Sequence, residues 1–150
     1  MSEIRPQEVG HVVLKVRDLG RSSEFYERVL GFRKVADYAG RMAFFTATGE
    51  NHHDIGLMEM GSQAPSPHPA AVGLYHVAIR LEDEDAVRAA YRRLVEAGAD
   101  VTGATDHGVS RSVYLRDPDG IEIELYADVP GWQEQGMAAV ATVRPWDPSG

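Results

Sequence analysis

Cysteine is absent from the 150-residue chain, which excludes a disulfide framework, a thiolate nucleophile and any sulfur-ligated metal. A bound metal would have to use His, Asp, Glu or water. No apolar run approaches the ~18 residues that a membrane helix needs. Neither a charged leader followed by an apolar stretch nor a lipidation signal is present. These absences point to a cytoplasmic protein with no membrane contact. Positive charge is also scarce: 15 Lys and Arg stand against 23 Asp and Glu, for a net charge of −8. That balance opposes the cationic patch by which proteins grip nucleic-acid phosphates. Apolar residues are plentiful at 43%, enough to build one domain or two small fused half-domains.

The chain writes one pattern twice. His11 opens His-Val-Val-Leu-Lys-Val, and His76 opens His-Val-Ala-Ile-Arg-Leu. In each, period-two alternation puts the His on one face with Val13 and Lys15, or with Ala78 and Arg80, and an apolar trio on the other. A predicted helix follows the first strand from about Arg21 to Leu30, with Asp18 or Ser22 in place to cap it and Gly31 to stop it. Strands are then predicted near 33–38, 42–47 and 53–60. The second half repeats this order, with a helix from about Glu84 to Ala97 and strands near 100–103, 112–116 and 121–126. Asp117-Pro118-Asp119-Gly120 makes the last turn. The sequence therefore predicts an α+β protein of two tandem βαβββ modules, at about 9–60 and 74–128. The Pro-, Ser- and Ala-rich stretch at about 61–72 is the linker. From 129 to 150 periodicity is lost, and the segment reads as an arm, a lid or a partly disordered tail.

Ile-Glu-Ile-Glu-Leu-Tyr at 121–126 turns Ile121, Ile123 and Leu125 to an apolar face and Glu122, Glu124 and Tyr126 to a polar one. Two equivalent imidazoles and a carboxylate from separate strands of a polar surface would make a metal site. Aligning Asp54-Ile55-Gly56-Leu57 with Glu122-Ile123-Glu124-Leu125 sets Gly56 opposite Glu124, so the first module offers no fourth ligand. Glu59 falls on the opposite strand face unless a bulge intervenes. Two His and one carboxylate leave coordination positions open and suit non-haem iron(II). Tyr114 shares the polar side of its strand with Ser112 and Arg116, and its counterpart in the first module is Phe44. His52 reads as exposed, His68 has no visible role, and Arg111 is either a surface residue or a contact for a substrate carboxylate.

A duplicated βαβββ unit with His opening each half and Glu in the last strand resembles the vicinal-oxygen-chelate superfamily, over roughly 9–128. That superfamily includes glyoxalases, fosfomycin-resistance proteins and extradiol dioxygenases. The resemblance implies a cupped, barrel-like mixed sheet with helices outside, one divalent metal and a homodimer. It selects Glu124 over Glu122 as the partner of His11 and His76. Within the superfamily, His52-His53-Asp54-Ile55-Gly56-Leu57 is similar to the His-containing segment of type I extradiol (catechol 2,3-) dioxygenases, which implies an acid/base role for His53. Strict alternation places His53 with Ile55 and Leu57, so that role requires the strand to start or bulge there. His107-Gly108-Val109-Ser110-Arg111 followed by Tyr114 resembles a second dioxygenase signature, which assigns His107 and Tyr114 to substrate contact and proton handling. The resemblance implies Fe(II), with Mn(II) or another divalent metal as alternatives, acting on a small catechol-type aromatic with molecular oxygen. A metal-dependent lyase, isomerase or thiol transferase, or an antibiotic-sequestering protein, are the rival functions of the same scaffold.

Overall fold

The structure, a computed structural model, describes residues 3–150 and divides after Ser66 into two compact units. In the first, β1 (Val12–Val16) leads into α1 (Leu19–Glu24), followed by β2 (Arg33–Tyr38), β3 (Met42–Thr46) and β4 (Ile55–Glu59). In the second, β5 (His76–Arg80) leads into α2 (Glu84–Glu96), followed by β6 (Asp100–Asp106), β7 (Ser110–Arg116) and β8 (Glu122–Asp128). The strand orders are β1-β4-β3-β2 and β5-β8-β7-β6, with β9 (Arg144–Pro145) added at the β6 edge. The duplicated βαβββ plan is thus built as two mixed sheets of four and five strands, without a closed barrel. In both, the first strand pairs in parallel with the fourth and the remaining neighbours are antiparallel.

Both helices start on an aspartate whose side chain accepts from a free backbone N–H of the first turn. Asp18 accepts from Arg21 N–H at 2.8 Å, and Asp83 from Ala86 N–H at 2.8 Å. The Asp18 cap starts α1 at Leu19, before the expected Arg21, and the helix ends in a wider π turn over Phe25–Val29. Within that turn Tyr26 is fully buried, with the rings of Phe32 and Phe45 each 6.3 Å away. Gly31 and Gly98, at φ +79° and +66°, occupy the left-handed conformation in which helices commonly stop. On α2, Val87 and Leu94, seven residues apart and so on one helix face, are buried, whereas Val95 is exposed.

Strand ends differ from the sequence pattern where polar residues enter the ladders. β6 and β7 run on to Asp106 and back from Ser110, pairing Thr105 with Ser112 and Asp106 with Arg111. Polar side chains there hide a ladder made by backbone groups. His107, Gly108 and Val109 consequently form the tip of a β-hairpin, closed by His107 N–H to the Ser110 carbonyl at 2.9 Å. Conversely, β4 begins only at Ile55. The Asp54 carboxylate accepts from Thr46 Oγ1 at 3.1 Å and Ala47 N–H at 2.7 Å, which closes the preceding residues as a loop.

The segment after β8 returns to the second sheet, where its end pairs with β6. It makes short 3₁₀ turns at Trp132–Gln135 and Met137–Ala141, then β9. Arg88 on α2 anchors its end, donating from Nη1 to the carbonyls of Asp147 at 2.9 Å and Gly150 at 2.6 Å. The guanidinium also lies 4.8 Å from the centre of the Trp146 ring. These contacts join residues with no hydrophobic periodicity, which is why alternation gave no hint of them. No helix among the described residues is long and apolar enough to cross a membrane.

If Arg88 holds the arm, Arg88→Ala should raise amide hydrogen exchange over residues 142–150 by about tenfold or more, the loss of at least one charge-assisted hydrogen bond. The central strands β7 and β8 should keep their protection. Unchanged exchange in the arm would remove Arg88 as its anchor.

Candidate metal centre

In the second unit the register of three strands converges on one carboxylate. β8 lies between β5 and β7, and Glu124 stands opposite both Ala78 and Tyr114. Glu124 is only 8% exposed, and a buried charge requires partners. Its Oε1 accepts from Ser112 Oγ at 2.6 Å and from Tyr114 OH at 3.1 Å. Its Oε2 points to His76 Nε2 at 3.1 Å. Two donors placed about 2.1 Å from one ion and at right angles to each other stand about 3 Å apart. The His76–Glu124 pair therefore matches two adjacent positions of one coordination sphere. Glu122 is 4.0 Å from His76 Nδ1, beyond hydrogen-bond reach, and that buried nitrogen has no partner among the described residues. The geometry separates the two glutamates that share a strand face.

Ser112 and Tyr114 hold one carboxylate oxygen and thereby aim the other. This is the kind of outer support that fixes a metal ligand's orientation. Burial, followed by the negative charge of Glu124 and the hydrogen bond to it, raises the Tyr114 pKa above the usual phenol range, so the hydroxyl stays protonated. Tyr114 OH also lies 2.7 Å from His107 Nε2, while His107 Nδ1 lies 2.8 Å from the Thr142 carbonyl. A carbonyl only accepts, so Nδ1 carries a proton. Neutral His107 competes with Glu124 for the single Tyr114 O–H, accepting it at Nε2. Doubly protonated His107 donates to the phenol oxygen instead, and the Tyr114 proton turns to Glu124. The line Thr142–His107–Tyr114–Glu124 can hold a proton in either of two arrangements.

These groups open into a cavity of about 360 Å³ whose walls include His76, Ala78, Val109, Tyr126, Trp132 and Val140. That volume is within the roughly 300–1,000 Å³ range of small-molecule sites. Trp132 and Val140 come from the C-terminal arm. A neighbouring cleft of about 490 Å³, lined by Glu82, Asp83, Glu84 and Asp85, is larger but holds no histidine, and its carboxylates disfavour an anionic ligand.

In the first unit, Val13 and Phe44 stand opposite Gly56 as Ala78 and Tyr114 stand opposite Glu124. A Cβ at Gly56 would lie 3.1 Å from Val13 Cγ2 and 3.6 Å from Phe44 Cδ1, so this repeat has no ligand there and little room for one. The Glu59 carboxylate accepts from Leu19 N–H at 2.9 Å, at the start of α1. His53 precedes β4, and its ring sits 4.2 Å from that of His11 and 5.0 Å from that of Phe44. The late strand start removes the parity conflict. Burial, then the neighbouring His11 and His52, lowers the His53 pKa below the usual imidazole value, favouring its neutral form.

Of the six expected site residues, the structure brings His76, His107, Tyr114 and Glu124 together in the second unit, and His11 and His53 together in the first. His52, though exposed, joins the latter pair, with its ring 4.4 Å from His53 and 5.9 Å from His11. Arg111 is engaged by Asp106 at 2.6 Å and faces Glu84 at 3.7 Å, which makes it a brace for the hairpin. Ser112 had the right strand parity for its part but is too common a residue to signal it alone. Trp132, Val140 and Thr142 gave no sequence signal.

The chain matches the family described as Glyoxalase/Bleomycin resistance protein/Dioxygenase superfamily over residues 8–125. It is 42% identical over 127 residues to a catechol-2,3-dioxygenase of Bacillus subtilis (strain 168), a match covering 83% of this chain and 44% of that relative. The chain thus spans about half the length of that dioxygenase. It is 33% identical over 124 residues to a lactoylglutathione lyase of Haemophilus influenzae, covering 77% of this chain and 88% of the lyase. A crystal structure of a glyoxylase/bleomycin resistance protein/dioxygenase domain from Frankia sp. EAN1pec aligns with a TM-score of 0.72 at 25% identity, covering 85% of this chain and 96% of that domain. A duplicated βαβββ chain with these matches belongs to the glyoxalase/bleomycin resistance protein/dioxygenase superfamily.

Proposed function

We propose that the chain is an iron(II)-dependent extradiol dioxygenase that opens the ring of a catechol-type aromatic with molecular oxygen. The observation that carries this reading is Glu124: Ser112 and Tyr114 hold one of its oxygens, and the other faces His76 beside the His107–Tyr114 proton line. The similarity to a catechol-2,3-dioxygenase supports the substrate class. His11, the repeat counterpart of His76, is the proposed third ligand.

Bound iron(II), or manganese(II) in its place, would supply the Lewis-acid and redox chemistry for a diol and oxygen. The remaining roles belong to side chains. Neutral His53 is the acid/base that receives a catechol proton and returns it. Tyr114, kept protonated by its surroundings, donates to oxyanion charge as it develops, and His107 replenishes or accepts that proton. Trp132 and Val140 give the aromatic ring an apolar wall that limits water.

The match to most of a lactoylglutathione lyase makes lyase chemistry the second reading. Glyoxalases typically hold the metal with four protein residues. Here Gly56 stands at the register position of a fourth ligand, and Glu59 is committed to Leu19 N–H, which favours the three-ligand dioxygenase. Anaerobic reconstitution with iron(II), followed by a panel of catechols, separates the two. Oxygen uptake with a yellow ring-opened product is expected. No oxygen consumption with any catechol, together with turnover of the methylglyoxal–glutathione hemithioacetal, would overturn the assignment in favour of the lyase.

Replacing His11, His76 or Glu124 by Ala should remove stoichiometric iron by elemental analysis and leave the circular dichroism spectrum largely intact. Iron retained in all three variants would eliminate this ligand set. His53→Gln should keep iron and catechol binding but lower kcat by roughly 10²–10⁴, the usual cost of losing a general acid or base. Tyr114→Phe should cost less, since the ring and its packing remain. Loss of iron in His53→Gln would make His53 a ligand, and full activity would take it out of the mechanism.

A further inference from the structure

We infer that His11, His52 and His53 form a separate metal site within the first unit, one that takes a nitrogen-preferring divalent ion such as Zn²⁺. The three side chains each present a ring nitrogen, and all three lie within 4.8 Å of one another. The Nδ1 atoms of His52 and His53 are 2.6 Å apart. Two imidazole nitrogens this close share either a proton or a cation, since two bare lone pairs repel. Donors about 2.0–2.1 Å from a tetrahedral ion stand about 3.3 Å apart. His11 and His52 are exposed, so their rings have room to turn toward that spacing around the half-buried His53.

The backbone beneath the rings is braced. Asn51 Nδ2 donates to the Gly10 carbonyl at 2.6 Å, and Asn51 Oδ1 accepts from His52 N–H at 3.1 Å. One side chain thus ties the residue before His11 to the residue bearing the second imidazole. Val12 N–H to the Asp54 carbonyl at 3.0 Å makes a second tie between the same two segments. The Phe44 ring edge packs against His53. The adjacent carboxylate does not join the set, because Asp54 is engaged by Thr46 and Ala47. The donors are therefore three imidazoles and no oxygen, with a fourth position open to water.

Such a set ranks metals differently from two imidazoles and a carboxylate. Nitrogen-rich sites bind Ni²⁺, Cu²⁺ and Zn²⁺ ahead of Fe²⁺. Only the consequence for turnover rests on the reading of the preceding subsection: because His11 and His53 would serve both sites, zinc in the three-imidazole site withdraws a ligand from iron and occupies the acid/base.

The test is performed in a Glu124→Ala background, which disables the carboxylate-containing set. Titration of the metal-free full-length protein with Zn²⁺ by calorimetry should show one ion bound per chain. Adding His52→Ala should weaken that binding by more than the roughly 10–100-fold lost with a mere supporting contact. Copper(II) bound to the Glu124→Ala protein should show three coupled nitrogens by electron paramagnetic resonance, and fewer once His52 is replaced. Absence of zinc binding to Glu124→Ala, or equal binding after His52→Ala, would overturn the site. If the site holds but zinc does not slow the iron-loaded wild type, the dual roles of His11 and His53 are wrong and the three-imidazole site stands.

Discussion

A carboxylate that is nearly sealed from water sets the terms for the rest of the second unit. Glu124 carries charge where little of it meets solvent, so each of its oxygens needs a donor or a cation. Ser112 and Tyr114 serve one oxygen from β7, and His76 faces the other from β5. Those partners are available only if three strands stay in one register, because a slip by a single residue would turn every side chain to the opposite face. Val113, Leu115 and Ile123, all fully buried, fix that register from the other side. Apolar packing on one face of the sheet therefore determines the polar geometry on the other.

The first unit shows what the same scaffold becomes without the carboxylate. With Gly56 and Phe44 in place of Glu124 and Tyr114, the middle of the sheet has no polar centre, and chemistry-bearing groups collect at its end. His11, His52 and His53 lie around the start of β1 and the loop before β4. The two copies of one topology have divided the work: one buries an oriented acid with its proton line, and the other gathers imidazoles at a loop braced by Asn51.

Much of this was legible in the chain. Alternation gave the strand faces of His76 and Glu124, with Ile123 and Leu125 buried behind the latter, and it drew attention to His11, which stands immediately before β1. The cap at Asp18 was legible, since helix starts depend on neighbouring residues, and Asp83 makes the matching cap one residue before the expected start at Glu84. The orientation of His53 was not legible from parity. It depends on where the ladder ends, and that is decided by the distant Thr46 and Ala47 capturing Asp54. The His107 hairpin was hidden for a similar reason: backbone pairing continued through polar residues that carry no period. The arm was least visible, because a guanidinium, main-chain carbonyls and an indole hold it, and none of these depends on alternation.

The contact between His107 and the arm has a consequence for how this protein can vary. The acceptor that fixes the proton on Nδ1 is a main-chain carbonyl, at Thr142, so the side chain at that position is free to change while the acceptor persists. What is constrained is the path of the arm, which β9 and Arg88 establish beyond Thr142. Insertions or deletions between β8 and β9 would disturb the tautomer more than most substitutions there. Relatives that share this device are therefore better recognised by the spacing of the arm than by its residues.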